Sequence, residues 1–316
     1  IKALSSYGAD VRFVGGCVRD TFAQRQITDI DLGTPDTPET IIRLLKENDF
    51  KAIPTGLGHG TVTAIKNAKT FQITTLRSDV KTDGRRAEVC FSKDWLKDAK
   101  RRDFTINALS AKPNGRIFDP FNGITDLKQG RVRFVGSPKK RINEDYLRIL
   151  RYYRFKGIFS QTAEDNEADV ACRHAAPSLK KLSPERITNE LIKILKTNNS
   201  ANTFEQMQKN AILKIVLPQA KNIQLLKILN NLQSKLEKSI YQEPEPILNL
   251  AALIELSPGS VNDVVKQLRL SKKQSKQLRE LHNNHAHLQP LMGHLNEQKI
   301  FQHLNQQSVI NLSLLE

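Results

Sequence analysis

The sequence predicts an α+β head, a mixed sheet with helices, followed by an all-helical C-terminal part. Three observations carry that reading. Up to about residue 137, short β-branched runs alternate with glycine and asparagine turns. From Ser137 onward strand signals vanish, and Leu and Ile recur at helical spacing with Lys, Gln and Asn between them. At 316 residues the chain exceeds one average domain. The expected division is a head over 1–137, a helical neck over 138–200 and a helical body and tail over 201–316.

Along the head, "VRFVGG" (11–16) reads as a strand running into a glycine turn, and "CVRDTFAQ" as the helix after it. "DIDLGT" begins a second strand. "TPETIIRLLKEND" (37–49) has helical spacing, with Thr37 and Pro38 suited to its start. "TVTAIK" (61–66) and "TFQITTLR" (70–77), separated by "NAK", predict a hairpin. "AEVCF", "RDFTINALSA" and short strands around "RIFDP" and "RVRFVG" complete the head. Beyond Ser137 helices are expected over 143–158, 184–196, 202–215, 221–238, 245–255, 260–270 and 272–287, with the clearest linker at "YQEPEP" (241–246).

Charge narrows the partners. Lys and Arg number 49 against 33 Asp and Glu, a net +16, so the field favours polyanions, most simply nucleic acid. Cys17, Cys90 and Cys172 lie far apart and form no CxxC pair, which predicts neither a disulfide framework nor structural zinc and fits a reducing compartment. The most apolar stretch, "ILNLAALIEL" (247–256), is too short to cross a bilayer. A soluble, cytoplasmic protein with no membrane association is expected, and no protein partner is implied.

Several stretches carry chemistry. Gly15 and Gly16 let the backbone approach a bulky anion, and Arg19 sits one turn into the following helix, within reach of phosphate. Asp29 and Asp31, at i and i+2 on a strand, project from one face. Two acids that close repel unless cations neutralise them, and their hard oxygens suit Mg2+. "RRDFTIN" gathers Arg102, Asp103 and Asn107, side chains capable of holding a ribose hydroxyl and phosphate oxygens. In "EDYLRILRYYRF" (144–155), Asn143 is a suitable cap, and Asp145, Arg148 and Arg151 are spaced three apart along neighbouring turns. A carboxylate and a guanidinium there offer enough acceptors and donors to read a base edge. "SPERITNEL" (183–191) has Pro184 at a helix start and reads as structural, and "HNNHAH" (282–287), with no acid to complete a metal site, as a solvated helix face.

"GGCVRD…DIDLGT" resembles the first motif of the class II tRNA nucleotidyltransferases, the CCA-adding enzymes, and of related bacterial poly(A) polymerases. "HGTVTA" (59–64) with "FQITTLRSD" (71–79), "DVKTDGRRAEVCF" (79–91), "RRDFTINAL" (101–109), "EDYLRILRYYRF" and "SPERITNEL" follow in the family's order. The resemblance covers residues 11 to about 195; the helical C-terminal third is similar only in general character. It implies a polymerase-beta-like palm in the head. It also implies template-independent addition of C and A, either CCA or its terminal A, to the 3′ end of tRNA, using CTP and ATP and releasing pyrophosphate. By resemblance Asp29 and Asp31 are catalytic and hold two Mg2+ ions, and Gly15, Gly16 and Arg19 hold the triphosphate. Arg102, Asp103 and Asn107 hold the ribose, Asp145, Arg148 and Arg151 the nucleobase, and Asp83 and Arg85 work in the flexible loop. The basic helical part would grip the tRNA acceptor arm. The alternatives are an A-only enzyme or a poly(A) polymerase, and, in a different class, a non-catalytic RNA-binding relic.

One departure stands out. Where the family commonly carries an acid on the strand after the aspartates, this chain has Gln72. Either two aspartates suffice, an acid such as Asp79 or Glu88 helps, or activity is weakened.

Overall fold

The computed structural model describes residues 1–82, 87–159, 166–235, 245–255 and 257–292, without the side chains of 79–89, 166, 232, 235 and 284–292. Asp83 and Arg85, expected to work in a loop, lie outside the described residues. Packing separates two compact units, Ile1–Leu179 and Lys180–Glu316. The segment expected as a neck, 138–200, is therefore shared between them.

The first unit opens with α1 (Lys2–Ser5), β1 (Arg12–Val14), α2 (Gly16–Phe22), β2 (Asp31–Thr34) and α3 (Pro38–Glu47). Three strands follow, β3 (Lys51–Gly56), β4 (Thr61–Lys66) and β5 (Lys69–Thr75), then the hairpin pair β6 (Arg77–Thr82) and β7 (Ala87–Phe91). After α4 (Trp95–Lys100) come β8 (Ser110–Ala111), β9 (Ile117–Phe118), α5 (Gly123–Lys128), α6 (Pro138–Glu144), α7 (Leu147–Phe159) and α8 (Asn166–Ala175). The main sheet has the order β3-β4-β5-β2-β1-β8-β9, and β2–β5 is its parallel pair. This is the mixed sheet expected from the sequence.

Local chemistry accounts for the elements. Pro38 opens α3, and the Thr37 side chain accepts from the Thr40 amide. Asn67 and Ala68 both take positive φ, 51° and 59°, as a two-residue hairpin turn requires. The strand β3 was not foreseen, because Pro54 removes a donor; it is tolerated at the sheet edge, beside a register shift between Ile53 and Gly56.

One face of the sheet buries Leu32, Val62 and Ile73 against Ile41, Leu44 and Leu45 of α3. Each such side chain contributes about 1.5–3 kcal/mol. Strand alternation then turns Asp31, Gln72 and Thr74 to the opposite face, where the parallel register sets Asp31 against Gln72. Gly33 permits Trp95 to lie on β2, since a Cβ there would come within 3.1 Å of the indole.

An aromatic core ties the "RRDFTIN" segment to α7. Phe104 packs on Phe134 (ring centroids 4.8 Å) and Phe155 (5.4 Å), and Phe134 stacks on Tyr152 (5.6 Å). "RVRFVG", expected as a strand, contributes only an isolated bridge between Phe134 and Phe104.

The second unit holds α9 (Pro184–Leu195), α10 (Ser200–Lys209), α11 (Leu213–Val216), α12 (Ile223–Lys235), α13 (Pro246–Leu253), α14 (Pro258–Gln267) and α15 (Lys272–Met292). The helix expected over 202–215 is divided at Ala211, whose φ is 60°. Some buried polar groups are matched within the unit: Asn249 Nδ2 donates to the Leu195 carbonyl at 2.7 Å, and Thr188 Oγ1 to that of Leu268 at 2.6 Å. Among the described residues no helix is long and apolar enough to cross a membrane.

Candidate active site

The site begins where β1 ends. Gly15 has φ 70° and ψ −119°, a conformation that L side chains rarely adopt. Its amide donates to the Leu109 carbonyl at 2.9 Å, and a Cβ on it would stand 2.8 Å from Arg102 Nη1. A glycine is needed here both for the turn and for the arginine beside it.

The neighbouring strand brings the two aspartates. β2 begins at Asp31, so Asp29 lies before the strand and is exposed, rather than on it as expected. The pair is nonetheless close enough to interact. Burial and the Asp29 charge raise the pKa of Asp31, partly offset by the Arg102 guanidinium. Neither acid forms an ion pair among the described residues; Asp29 Oδ2 accepts only from Thr28 Oγ1, at 3.1 Å. Two crowded, unneutralised carboxylates are the hard-oxygen donor set that suits a divalent cation. Among the described residues no group of three or more His, Cys, Asp or Glu comes together, so these two acids supply only part of a coordination shell. Gln72, across from Asp31, adds an amide rather than a charge.

The "RRDFTIN" segment forms a connected set. Asp103 is buried, and its Oδ1 accepts from Asn107 Nδ2 and the Phe104 amide, both at 2.9 Å. Its Oδ2 accepts from Arg151 Nε at 2.7 Å and Nη2 at 2.6 Å. Burial alone would raise this carboxyl's pKa, but the Arg151 charge and these donors lower it, so it stays ionised. Asn107 Oδ1 takes Arg19 Nη1 at 2.6 Å, completing a run Arg19–Asn107–Asp103–Arg151. Arg19 also pairs with Asp20 at 2.8 Å, and its guanidinium lies over Phe155 (5.0 Å) and Phe159 (5.1 Å). Thus Arg151, expected at the nucleobase, and Asp103, expected at the ribose, are paired with each other.

The expected continuous helix 143–158 is broken. α6 ends at Glu144, Asp145 is extended (φ −157°), and α7 starts at Leu147. Asn143 lies inside α6; Asp145 is the residue whose Oδ1 accepts from the Leu147 amide, at 3.1 Å, at the start of α7. Arg148 turns to Glu144 and to the Arg141 carbonyl (2.7 Å), while Arg141 holds Glu144 and the Arg102 carbonyl (2.7 Å). The α6–α7 junction is thereby tied to the "RRDFTIN" segment. Sequence reasoning missed Glu144, Arg141 and Asp98 as parts of this set. Asp98, with Arg101 and Arg102 at i+3 and i+4, was detectable from spacing.

Residues 11–133 match the family described as Poly A polymerase head domain, and residues 165–224 the family described as "Probable RNA and SrmB- binding site of polymerase A". The chain is 37% identical over 269 residues to a CCA tRNA nucleotidyltransferase 1, mitochondrial, of Danio rerio, covering 84% of this chain and 61% of that one. It is 39% identical over 197 residues to a CCA-adding enzyme of Streptococcus gordonii, covering 62% and 48%. The chain thus spans about half to three fifths of the length of these relatives. Among solved structures, the Bacillus stearothermophilus CCA-adding enzyme in complex with CTP aligns with a TM-score of 0.74 at 27% identity, covering 90% of this chain and 68% of that one. A tRNA nucleotidyltransferase complexed with a primer tRNA and an incoming ATP analog shares the fold, with a TM-score of 0.75 at 21% identity over 100% of this chain and 93% of that one. With the ordered motifs and the head architecture already described, these likenesses place the chain in the class II tRNA nucleotidyltransferase family, the CCA-adding enzymes.

Proposed function

We propose that the protein adds C and A nucleotides, as CCA or its terminal A, to the 3′ end of tRNA without a nucleic acid template. CTP and ATP are the donors and pyrophosphate is released. The observation that carries this reading is the Asp29–Asp31 pair, without an ion pair among the described residues, beside the Gly15 turn at which Arg102 Nη1 lies.

In this reading Asp29 and Asp31 hold Mg2+, two ions in all. When bound, the metal neutralises the acids and the triphosphate and makes the tRNA 3′-hydroxyl more acidic. Gly15, Gly16, Arg19 and Arg102 steady the phosphates, so that the hydroxyl oxygen attacks the α-phosphorus in line as the pyrophosphate oxygen leaves. Asp145 and Arg148 choose the base, with Glu144 setting the Arg148 guanidinium. Asp103 and Asn107 serve the sugar, and by holding Arg151 and Arg19 they also support the groups at the base and the phosphates. Asp83 and Arg85 belong to the loop that adjusts the choice. The basic helical part grips the tRNA acceptor arm through its phosphates, with affinity that falls as salt rises. The three cysteines are not in disulfides, which fits a reducing compartment, for which the cytoplasm is our assignment.

The test offers tRNAs lacking the last three, two or one nucleotides, with CTP or ATP singly. Ordered C, C, A growth is expected. Growth only on the tRNA lacking one nucleotide identifies an A-only enzyme, and unlimited A growth a poly(A) polymerase. No growth from any end refutes the activity.

A further inference from the structure

The helix α4 carries an acid that none of the proposed steps uses. Asp94 caps this helix, accepting from the Leu96 amide at 2.8 Å, and one turn later Asp98 points inward with a side chain only 4% exposed. Helical spacing lays the side chains at i+3 and i+4 over it. Its Oδ1 accepts from Arg101 Nε at 2.8 Å, and its Oδ2 from Arg102 Nε at 3.2 Å and Nη2 at 3.1 Å. Burying a carboxylate this deeply is costly unless such partners are present.

The effect on Arg102 is directional. With Nε and Nη2 held from one edge, the planar fork can present only Nη1 forward. Nη1 donates to the Asn107 carbonyl at 3.2 Å and lies where a side chain on Gly15 would collide with it. The charge of the guanidinium also acts on Asp31, lowering its pKa against the effect of burial. Arg101, by contrast, pairs with the other oxygen of Asp98.

We propose that Asp98 is a positioning residue for nucleotidyl transfer: it clamps the Arg102 guanidinium by two bonds so that Nη1 is held at the Gly15 turn, where the triphosphate is to bind. This rests on the proposed nucleotidyl transfer. Asp98 does not touch the nucleotide; it acts through Arg102. A lysine at 102 would not serve, since its single nitrogen cannot be held at two points by Asp98 Oδ2 while a further donor points to the turn.

The experiment is a double-mutant cycle on the full chain, with CTP binding read by calorimetry and thermal stability read alongside. Asp98→Asn keeps the shape but loses the charge, and is expected to weaken CTP binding about tenfold. Arg102→Ala should weaken it at least as much, and Asp98→Asn should add nothing in the Arg102→Ala background. A merely structural Asp98 would instead add its loss to that of Arg102→Ala, and that additivity overturns the proposal, as does unchanged binding by Asp98→Asn. Should Asp98→Asn not fold, Asp98→Glu carries the test. It keeps the charge but displaces the fork, so a roughly threefold loss that vanishes in the Arg102→Ala background is expected, and unchanged affinity overturns the proposal. If the unmodified chain binds no CTP, the nucleotidyl-transfer reading falls and this inference with it; binding with additive losses overturns the inference alone.

Discussion

Two pairs of aspartates in the head differ in almost every physical respect. Asp29 and Asp31 stand close together near the surface, without an ion pair among the described residues, and mutual repulsion helps raise the pKa of Asp31. Asp98 and Asp103 are buried deeper, yet the pKa of each is lowered, because arginines outweigh the cost of burial. The second pair is neutralised from within the fold and serves as a fixture. The first keeps negative charge that no ion pair among the described residues neutralises, which is what a site for an external cation requires.

Substituting the first pair should therefore cost activity and not stability. Asp31→Asn or Asp29→Ala is expected to reduce nucleotide incorporation by about 10³-fold or more, while the melting temperature holds or rises as like-charge repulsion is removed. Full activity in either variant, or unfolding, would erase the distinction between the pairs.

The second pair should behave in the opposite way. Asp103→Ala removes the carboxylate that Arg151, Asn107 and the Phe104 amide share and is expected to cost about 1–3 kcal/mol of stability, measured by denaturant unfolding. The sign of the pH dependence follows. A depressed native pKa means the unfolded state binds protons first, so this stabilisation is fully present above about pH 4 and is lost as pH falls through the depressed value. Asp103→Asn should flatten the acid limb of a melting-temperature profile below about pH 4. An unchanged limb would show that Asp103 is not held ionised by its partners.

A smaller effect separates holding from choosing. Arg148→Ala is expected to reduce discrimination between CTP and ATP by about tenfold, with less change in triphosphate binding; unchanged selectivity would remove Arg148 from the base-reading role. Smallest of all is Gly15→Ala, expected to destabilise by about 1–3 kcal/mol and to weaken triphosphate binding as Arg102 Nη1 is pushed aside. A variant as stable and as tight as the unmodified chain would mean that the turn does not need glycine.

Much of this was legible in the sequence. Alternation and turn residues fixed β4, β5 and their hairpin, and Thr37 with Pro38 fixed the start of α3, because those signals are local. The two glycines and two aspartates were readable for the same reason. The rest depended on tertiary contacts. Residues 143–158 keep helical spacing throughout, so nothing local announced that Asp145 would leave the helix and that its side chain would serve the next one. Arg19 looked like a phosphate ligand one turn into a helix, and only the fold brings Asn107 to its guanidinium, 88 residues away. Pro54 removes a donor from β3, and the sheet edge makes that acceptable. The spacing of Asp98, Arg101 and Arg102 is readable, but burial is what turns these i+3 and i+4 arginines from a solvated pair into a clamp.

The central claim is that Asp29 and Asp31 form the pair lacking a positive partner that takes a metal, whereas the arginine-bound acids do not. Calorimetric titration of Mn2+, standing in for Mg2+, into the unmodified chain, Asp31→Asn and Asp98→Asn tests it directly. Binding is expected in the unmodified chain, lost in Asp31→Asn and kept in Asp98→Asn. Equal binding by Asp31→Asn and the unmodified chain, or loss in Asp98→Asn alone, would contradict it.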